Sequence, residues 1–199
     1  TRTIDKVIRR QVKLSEGDAY NKFLIDLSKN TIKSLNYFGK VDIEEERVLD
    51  SDRVNININV EEKNTGEVSA GAGYSSTNKT SITLGLKERN FLGKGQNANF
   101  SASFADTTAT YDISFEEPYF NNKNLSLRGD LYSKTTDPTS VKYETEDFGT
   151  GFTVKFPLAP TVSYGFSYSL YTTKVKADVD ASAYEQLLAG SDTISAVTN

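Results

Sequence analysis

Between Glu67 and Tyr171 the chain alternates apolar and polar residues in seven stretches, and the apolar side is expected to be free of charge. In the last stretch Val162, Tyr164, Phe166, Tyr168 and Leu170 take one side, and Ser163, Gly165, Ser167 and Ser169 take the other. A period of two places each set on one face of a strand. Small hydrophilic residues opposite aromatic-rich ones suit a strand with lipid on one side and a wet lumen on the other. The stretches predict strands at Glu67–Ser75, Lys79–Glu88, Gln96–Ala105, Ala109–Glu117, Asn124–Lys134, Asp147–Phe156 and Thr161–Thr172. A soluble β-sandwich also alternates with one apolar face. Strand lengths near ten and the rim aromatics Tyr119, Phe120 and Tyr132 favour the membrane barrel.

Short turns are expected at Phe91–Gly95, Tyr119–Lys123 and Pro157–Pro160. The opposite end carries Ser75–Asn78, Asp106–Thr108 and a longer Thr135–Glu146, then a long segment from Lys174 with a helical turn at Ala183–Leu188. Outer-membrane barrels keep short turns on the periplasmic side, so the region before Glu67 is expected in the periplasm. Seven strands do not close such a barrel, so the chain is expected to stop partway round it.

Residues 1–62 change period. Ile4, Val7, Ile8 and Val12 keep helical spacing, with Thr3 as the expected N-cap. A second helix is predicted from Tyr20 to Tyr37, opened by Asp18 and closed by Gly39. Two strands follow, one through Val41 and Ile43, the other alternating Val54, Ile56, Ile58 and Val60 with three asparagines. Two strands alone are marginal, so a further strand is expected before Thr1. Residues 63–66 form a short junction, and residues 67–199 the barrel part.

Composition removes most catalytic chemistry. The chain has no His, Cys, Met or Trp. Transition-metal sites built on Cys or His and His-dependent nucleophiles are therefore excluded. The net charge of −4 argues against nucleic acid as the main partner. No apolar run reaches the length of a membrane helix, a test that barrels escape. Gly71-Ala72-Gly73 lacks the third glycine of a dinucleotide fingerprint, and Gly93-Lys94-Gly95 lacks the rest of a phosphate loop. Glu116 and Glu117 alternate across a strand, so they cannot act as a glycosidase pair. No enzymatic activity, cofactor, metal or nucleotide is expected.

Several motifs in order resemble the BamA family of outer-membrane assembly factors. Leu35-Asn36-Tyr37-Phe38 before Val41 is similar to the end of the second helix of a POTRA domain, with Asn36 where the family often has Gly. Gly71, Gly73 and Tyr74 match a Gly-x-Gly-Tyr stretch in the first barrel strand. Asn90, Phe91, Leu92, Gly93 and Gly95 match one family turn, and Pro118, Tyr119 and Phe120 another. The resemblance implies a POTRA domain lacking its first strand, then an antiparallel transmembrane β-barrel, here about seven of about sixteen strands.

It also implies a non-enzymatic insertase that folds client barrels into the outer membrane. Its partners would be outer-membrane lipids, unfolded barrel clients and lipoproteins such as BamD, without nucleotide or nucleic acid. The site would be a lateral gate at the first barrel strand, through Val68, Ala70, Gly71, Ala72, Gly73 and Tyr74. The same strand is the smallest-residue stretch here, and glycine weakens a strand and its cross-strand packing. Glu16, beside Gly17 in the interhelical loop, is the candidate partner contact that the resemblance implies. A polypeptide-secreting relative of the two-partner type and a porin-like barrel are the alternatives.

Overall fold

The structure is a computed structural model that describes residues 2–76, 79–138, 142–159, 162–177, Leu187 and 193–198. The chain divides into two units, Thr1–Gly66 with Arg89–Gly95, and Glu67–Glu88 with Gln96–Asn199.

The first unit is built from α1 (Asp5–Arg9), α2 (Lys22–Ser34), β1 (Phe38–Arg47) and β2 (Val54–Glu62). Helical spacing turns Ile25, Ser28 and Ile32 of α2 inward. Val7, Ile32, Tyr37, Phe38 and Val41 form the enclosed core, flanked by Ile8, Val12, Leu35, Ile58 and Val60. The buried Ser28 hydroxyl is satisfied twice, donating to the Leu24 carbonyl (2.7 Å) and accepting from the Lys13 amide (2.8 Å). β1 and β2 are antiparallel, with Val41 opposite Val60 and Ile43 opposite Ile58.

The helix ends differ from expectation. Asn21, not Asp18, caps α2, its Oδ1 accepting from the Leu24 amide at 3.3 Å. Asp18 instead accepts from the Ser15 amide at 2.7 Å and ties the interhelical loop. Asn36, at φ 61°, takes the left-handed position after α2, and Gly39 lies in β1. Asparagine tolerates that conformation, which accounts for the glycine preferred there in the family pattern. Ile4 precedes α1 without any side-chain cap, so Thr3 is not the cap.

The second unit contributes one sheet of eight strands in sequence order: β3 (Gly66–Ser75), β4 (Lys79–Phe91), β5 (Gln96–Ala105), β6 (Thr108–Glu117), β7 (Ser126–Thr136), β8 (Tyr143–Ala159), β9 (Val162–Ala177) and β10 (Thr193–Thr198). β10 is one strand more than the alternation predicts. It pairs antiparallel to β9, with Thr198 opposite Tyr168. The predicted turns Ser75–Asn78 and Pro157–Pro160 lie in part outside the described residues, as does the helical turn at Ala183–Leu188 except for Leu187.

Every register agrees with two faces. Phe100 sits opposite Ile113, Ile113 opposite Leu131, and Val154 opposite Phe166. The other face is laced by hydrogen bonds, among them Asn97 to Glu116 (3.1 Å), Asn99 to Ser114 (3.0 Å) and Ser126 to Glu116 (2.7 Å).

Three details correct the sequence reading. Glu88 and Glu117 fall in phase with the apolar face, both near the short-turn end of their strands. A charge there reaches the interface instead of the hydrocarbon, where it costs little. Tyr132 is no rim aromatic. It shares the polar face with Arg128 and Asp130, opposite Gly149, and a Cβ on that glycine would overlap the Tyr132 ring. The long loop expected at Thr135–Glu146 is shorter, because β7 and β8 stay paired out to Thr136 and Thr145. β8 and β9 continue past Phe148–Thr172 through five further rungs, ending at Tyr143–Ala177, with Glu144 opposite Lys176 and Glu146 opposite Lys174. Opposed charges on adjacent strands stabilise a ladder that has left the apolar zone.

Candidate functional site

Among the described residues, nothing covers the apolar face of the sheet. Phe104, Tyr111, Phe115, Phe148, Phe152, Tyr164, Phe166 and Tyr168 are all exposed, and Ala102 is the one fully buried apolar residue of this unit among those described. A soluble sandwich would bury these rings against a second sheet about 10 Å away. Among the described residues there is one sheet in this unit. An aromatic face of this extent is incompatible with water and suits a bilayer.

β3 lies at one end of the sheet, with β4 as its one neighbour among the described strands. Every residue from Gly66 to Ser75 is exposed, Val68 at 80% and Tyr74 at 79%. Val68, Ala70, Ala72 and Tyr74 lie in phase on one face, and Ser69, Gly71 and Gly73 on the other. A Cβ on Gly71 would meet nothing within 4 Å, and one on Gly73 would lie 3.3 Å from the Ser81 hydroxyl. Ala70 and Ala72 offer far less apolar area than Phe100 and Phe104 do on β5. At about 25 cal/mol per Å2, that difference weakens the hold of β3 on neighbouring apolar surface. A weakly packed strand with one open edge of N–H and C=O groups is a template for a further strand.

The two turn motifs have separate structural causes. After β4, Leu92 (φ 53°), Gly93 (φ 74°) and Gly95 (φ 71°) are left-handed. The Asn90 side chain spans this turn, its Oδ1 accepting from the Gly95 amide at 2.7 Å. Its Nδ2 donates to the Thr3 hydroxyl at 2.8 Å, and Asn90 is buried. The Gly93 carbonyl accepts from the Ile4 amide at 3.0 Å. Added Cβ atoms would overlap the Arg2 carbonyl oxygen at Gly93 and the Arg10 guanidinium at Gly95. Phe91 ends β4, exposed, and Leu92 stands out at the tip.

In the second motif Glu117 organises the turn, accepting from the Tyr119 amide (3.0 Å) and from the Gln96 side chain (2.7 Å). Pro118 and Tyr119 are half-buried, Phe120 is exposed, and the Phe120 amide donates to the Leu125 carbonyl at 2.8 Å. Asn121 and Asn122 take the left-handed conformations that follow. Thr3, Arg10 and Glu117 take part in these turns without any sequence signal. Thr3 is 87 positions from its partner.

Glu16 is 92% exposed and pairs with Arg9 at 2.9 Å, which also holds Asp5 at 2.9 Å. The two carboxylates raise the Arg9 pKa, the Asp5 hydrogen bond contributing most. Across the unit, the Glu45 carboxylate accepts from Lys22 and from the Tyr20 hydroxyl, both at 2.6 Å. These bonds hold Glu45 below the ordinary carboxylate range, the one from Lys22 most strongly. Burial pushes Glu62 up, but backbone N–H groups of Thr3 and Arg2 outweigh it and keep the carboxyl low.

Comparisons with known proteins agree with this architecture. A family model described as the Omp85 superfamily domain matches residues 90–197. A POTRA model, described as a surface antigen variable number repeat, matches residues 1–63. The chain is 31% identical over 163 residues to the outer membrane protein assembly factor BamA of Neisseria meningitidis, covering 79% of this chain and 20% of that protein. It is 29% identical to the BamA of Nitratidesulfovibrio vulgaris, covering 85% and 22% respectively. The chain thus spans about a fifth of the length of these curated relatives. Among solved structures, BamA from Haemophilus ducreyi lacking POTRA domains 1–3 superposes with a TM-score of 0.81 at 23% identity, covering 98% of this chain and 40% of that one. CdiB from Acinetobacter baumannii matches at a TM-score of 0.57 and 13% identity, over 91% of this chain and 37% of that one. These two likenesses concern the fold.

Proposed function

The chain belongs to the Omp85 superfamily, and from that premise we propose that it forms part of an insertase whose first barrel strand templates the strands of client barrels. The protein resides in the outer membrane, with its POTRA part in the periplasm. The small, exposed residues of β3, the first strand of the sheet, carry the reading. Backbone groups along Glu67–Ser75 would pair with an incoming strand whatever its side chains, which gives affinity without narrow specificity. The small residues of β3 make few side-chain contacts that a newcomer must displace. No nucleotide is required, because the burial of client surface in lipid supplies the driving force.

Clients would be unfolded outer-membrane barrels, and outer-membrane lipids would cover the apolar face. The exposed Glu16–Arg9 corner is the proposed contact for a lipoprotein partner such as BamD. Substitution Glu16→Lys reverses the charge beside Arg9 and is expected to weaken co-purification of that lipoprotein while leaving the barrel folded.

The templating test uses cysteine trapping in the full-length protein. Gly71→Cys is the cleaner site, because its new side chain enters open space, and Gly73→Cys is the second. Each is expected to form a disulfide with a cysteine in the terminal strand of a stalled client. Absence of client adducts from every position along Glu67–Ser75 would remove the template. Adducts that form instead at polar-face positions such as Ser101 or Ser167 would favour passage of a polypeptide through the lumen.

A further inference from the structure

We infer that the turn between β4 and β5 is a clasp built into the first unit, and that Asn90 is the residue that keys it. Arg89–Gly95 belongs with Thr1–Gly66, whereas the strands on either side of it belong to the second unit. The chain therefore crosses between units at three places, after Gly66, after Glu88 and after Gly95. The last two deliver a loop whose backbone and one side chain complete the start of α1.

The fit is polar and directional. The Ile4 amide opens the α1 segment with no side-chain cap and finds its acceptor in the Gly93 carbonyl. Thr3, buried at 3% exposure, receives the Asn90 amide, and Asn90, at 4%, simultaneously holds the Gly95 amide. One side chain thus shapes the turn and fastens it. Gly93 and Gly95 admit no Cβ for two independent reasons, their left-handed φ and their contact with Arg2 and with Arg10 and Val7. Separating buried polar partners of this kind is costly, even though Thr3 also hydrogen-bonds Glu62 and Asn90 also holds Gly95. Without the turn, residues 2–12 keep the core contact of Val7 with Ile32 and Val41 and the Glu62 bond to Thr3, whereas α2 and the β1–β2 pair also keep their own hydrogen-bonded turns and ladder.

Hydrogen exchange on the full-length protein in lipid nanodiscs tests this. Asn90→Ala and Thr3→Val each remove one side of the 2.8 Å bond, and Thr3→Ser retains the hydroxyl. Exchange across residues 2–12 is expected to quicken about tenfold or more in the first two variants and to match the parent in Thr3→Ser. Protection in α2 and β1–β2 is expected to stay unchanged. Equal protection of residues 2–12 in all four proteins would overturn the clasp. So would loss of protection throughout the first unit in Asn90→Ala and Thr3→Val, since the turn would then be ordinary core. A heat-dependent shift in gel mobility, compared across variants, establishes that each barrel is folded before exchange is read.

Discussion

β2 and β9 carry nearly the same pattern and solve it with different solvents. In β2, Val54, Ile56, Ile58 and Val60 alternate with Asn55, Asn57 and Asn59 and are half-buried, with Ile58 and Val60 packed against the core under the helices. In β9, Val162, Tyr164, Phe166, Tyr168 and Leu170 alternate with Ser and Gly and meet no protein layer among the described residues. A period of two states that one face is apolar. It does not state what covers that face. The cover is legible only from what else the chain supplies. Ahead of β2 come two helices that bury Val7, Ile25 and Ile32, whereas among the described residues no helix of comparable length accompanies the eight strands of the second unit.

The comparison breaks most visibly in the enclosed core. Ile32 is fully buried, so Ile32→Ala is expected to destabilise the first unit by about 2–5 kcal/mol, measured by hydrogen exchange in α2, while the barrel keeps its gel mobility. On the sheet, Phe152→Arg should cost roughly 2–4 kcal/mol in denaturant unfolding from vesicles, whereas Thr153→Arg one residue away should change it little. Equal tolerance at both positions would mean that lipid does not cover the apolar face. Gly149→Ala forces the Tyr132 ring aside and is expected to cost about 1–3 kcal/mol, relieved in the double variant with Tyr132→Ser. Gly71→Ala, entering open space, should fall within about 0.5 kcal/mol.

The smallest effect is electrostatic. Glu45 and Asp42 have pKa values below their unfolded ones, through hydrogen bonds from Lys22 and from Lys29 respectively. A depressed carboxylate stabilises the folded state above its unfolded pKa of about 4 and loses that contribution as pH falls through the folded value. The first unit should therefore loosen slightly below about pH 4, and Lys22→Met should flatten that dependence, as read by exchange in β1.

Much of the architecture was legible because local rules and tertiary packing agree. The Gln96–Ala105 strand was placed at its observed ends, since its alternation of Ala and Phe with Asn and Ser has no competing period. The α2 ends were misplaced because Asp18, Asn21, Asn36 and Gly39 are all competent end residues, and tertiary geometry chooses among them. Thr193–Thr198 falls in the long segment expected after Lys174, and its strand is defined only by the ladder with β9. In the candidate site, the small residues of β3 are visible, but its place at the end of the sheet is a property of the sheet. The Asn90 turn was visible as a motif, whereas its cause, the contact with Thr3, joins positions too far apart for any local pattern to connect.

The five rungs of β8 and β9 beyond Phe148–Thr172 have a consequence for what approaches from the cell exterior. At about 3.4 Å per residue they run roughly 17 Å along the strands beyond the greasy zone, a two-stranded parapet about 13 Å high at the usual barrel tilt. Its acidic and basic teeth, Glu144, Glu146, Lys174 and Lys176, would be met by an antibody or a phage tail before any lipid is.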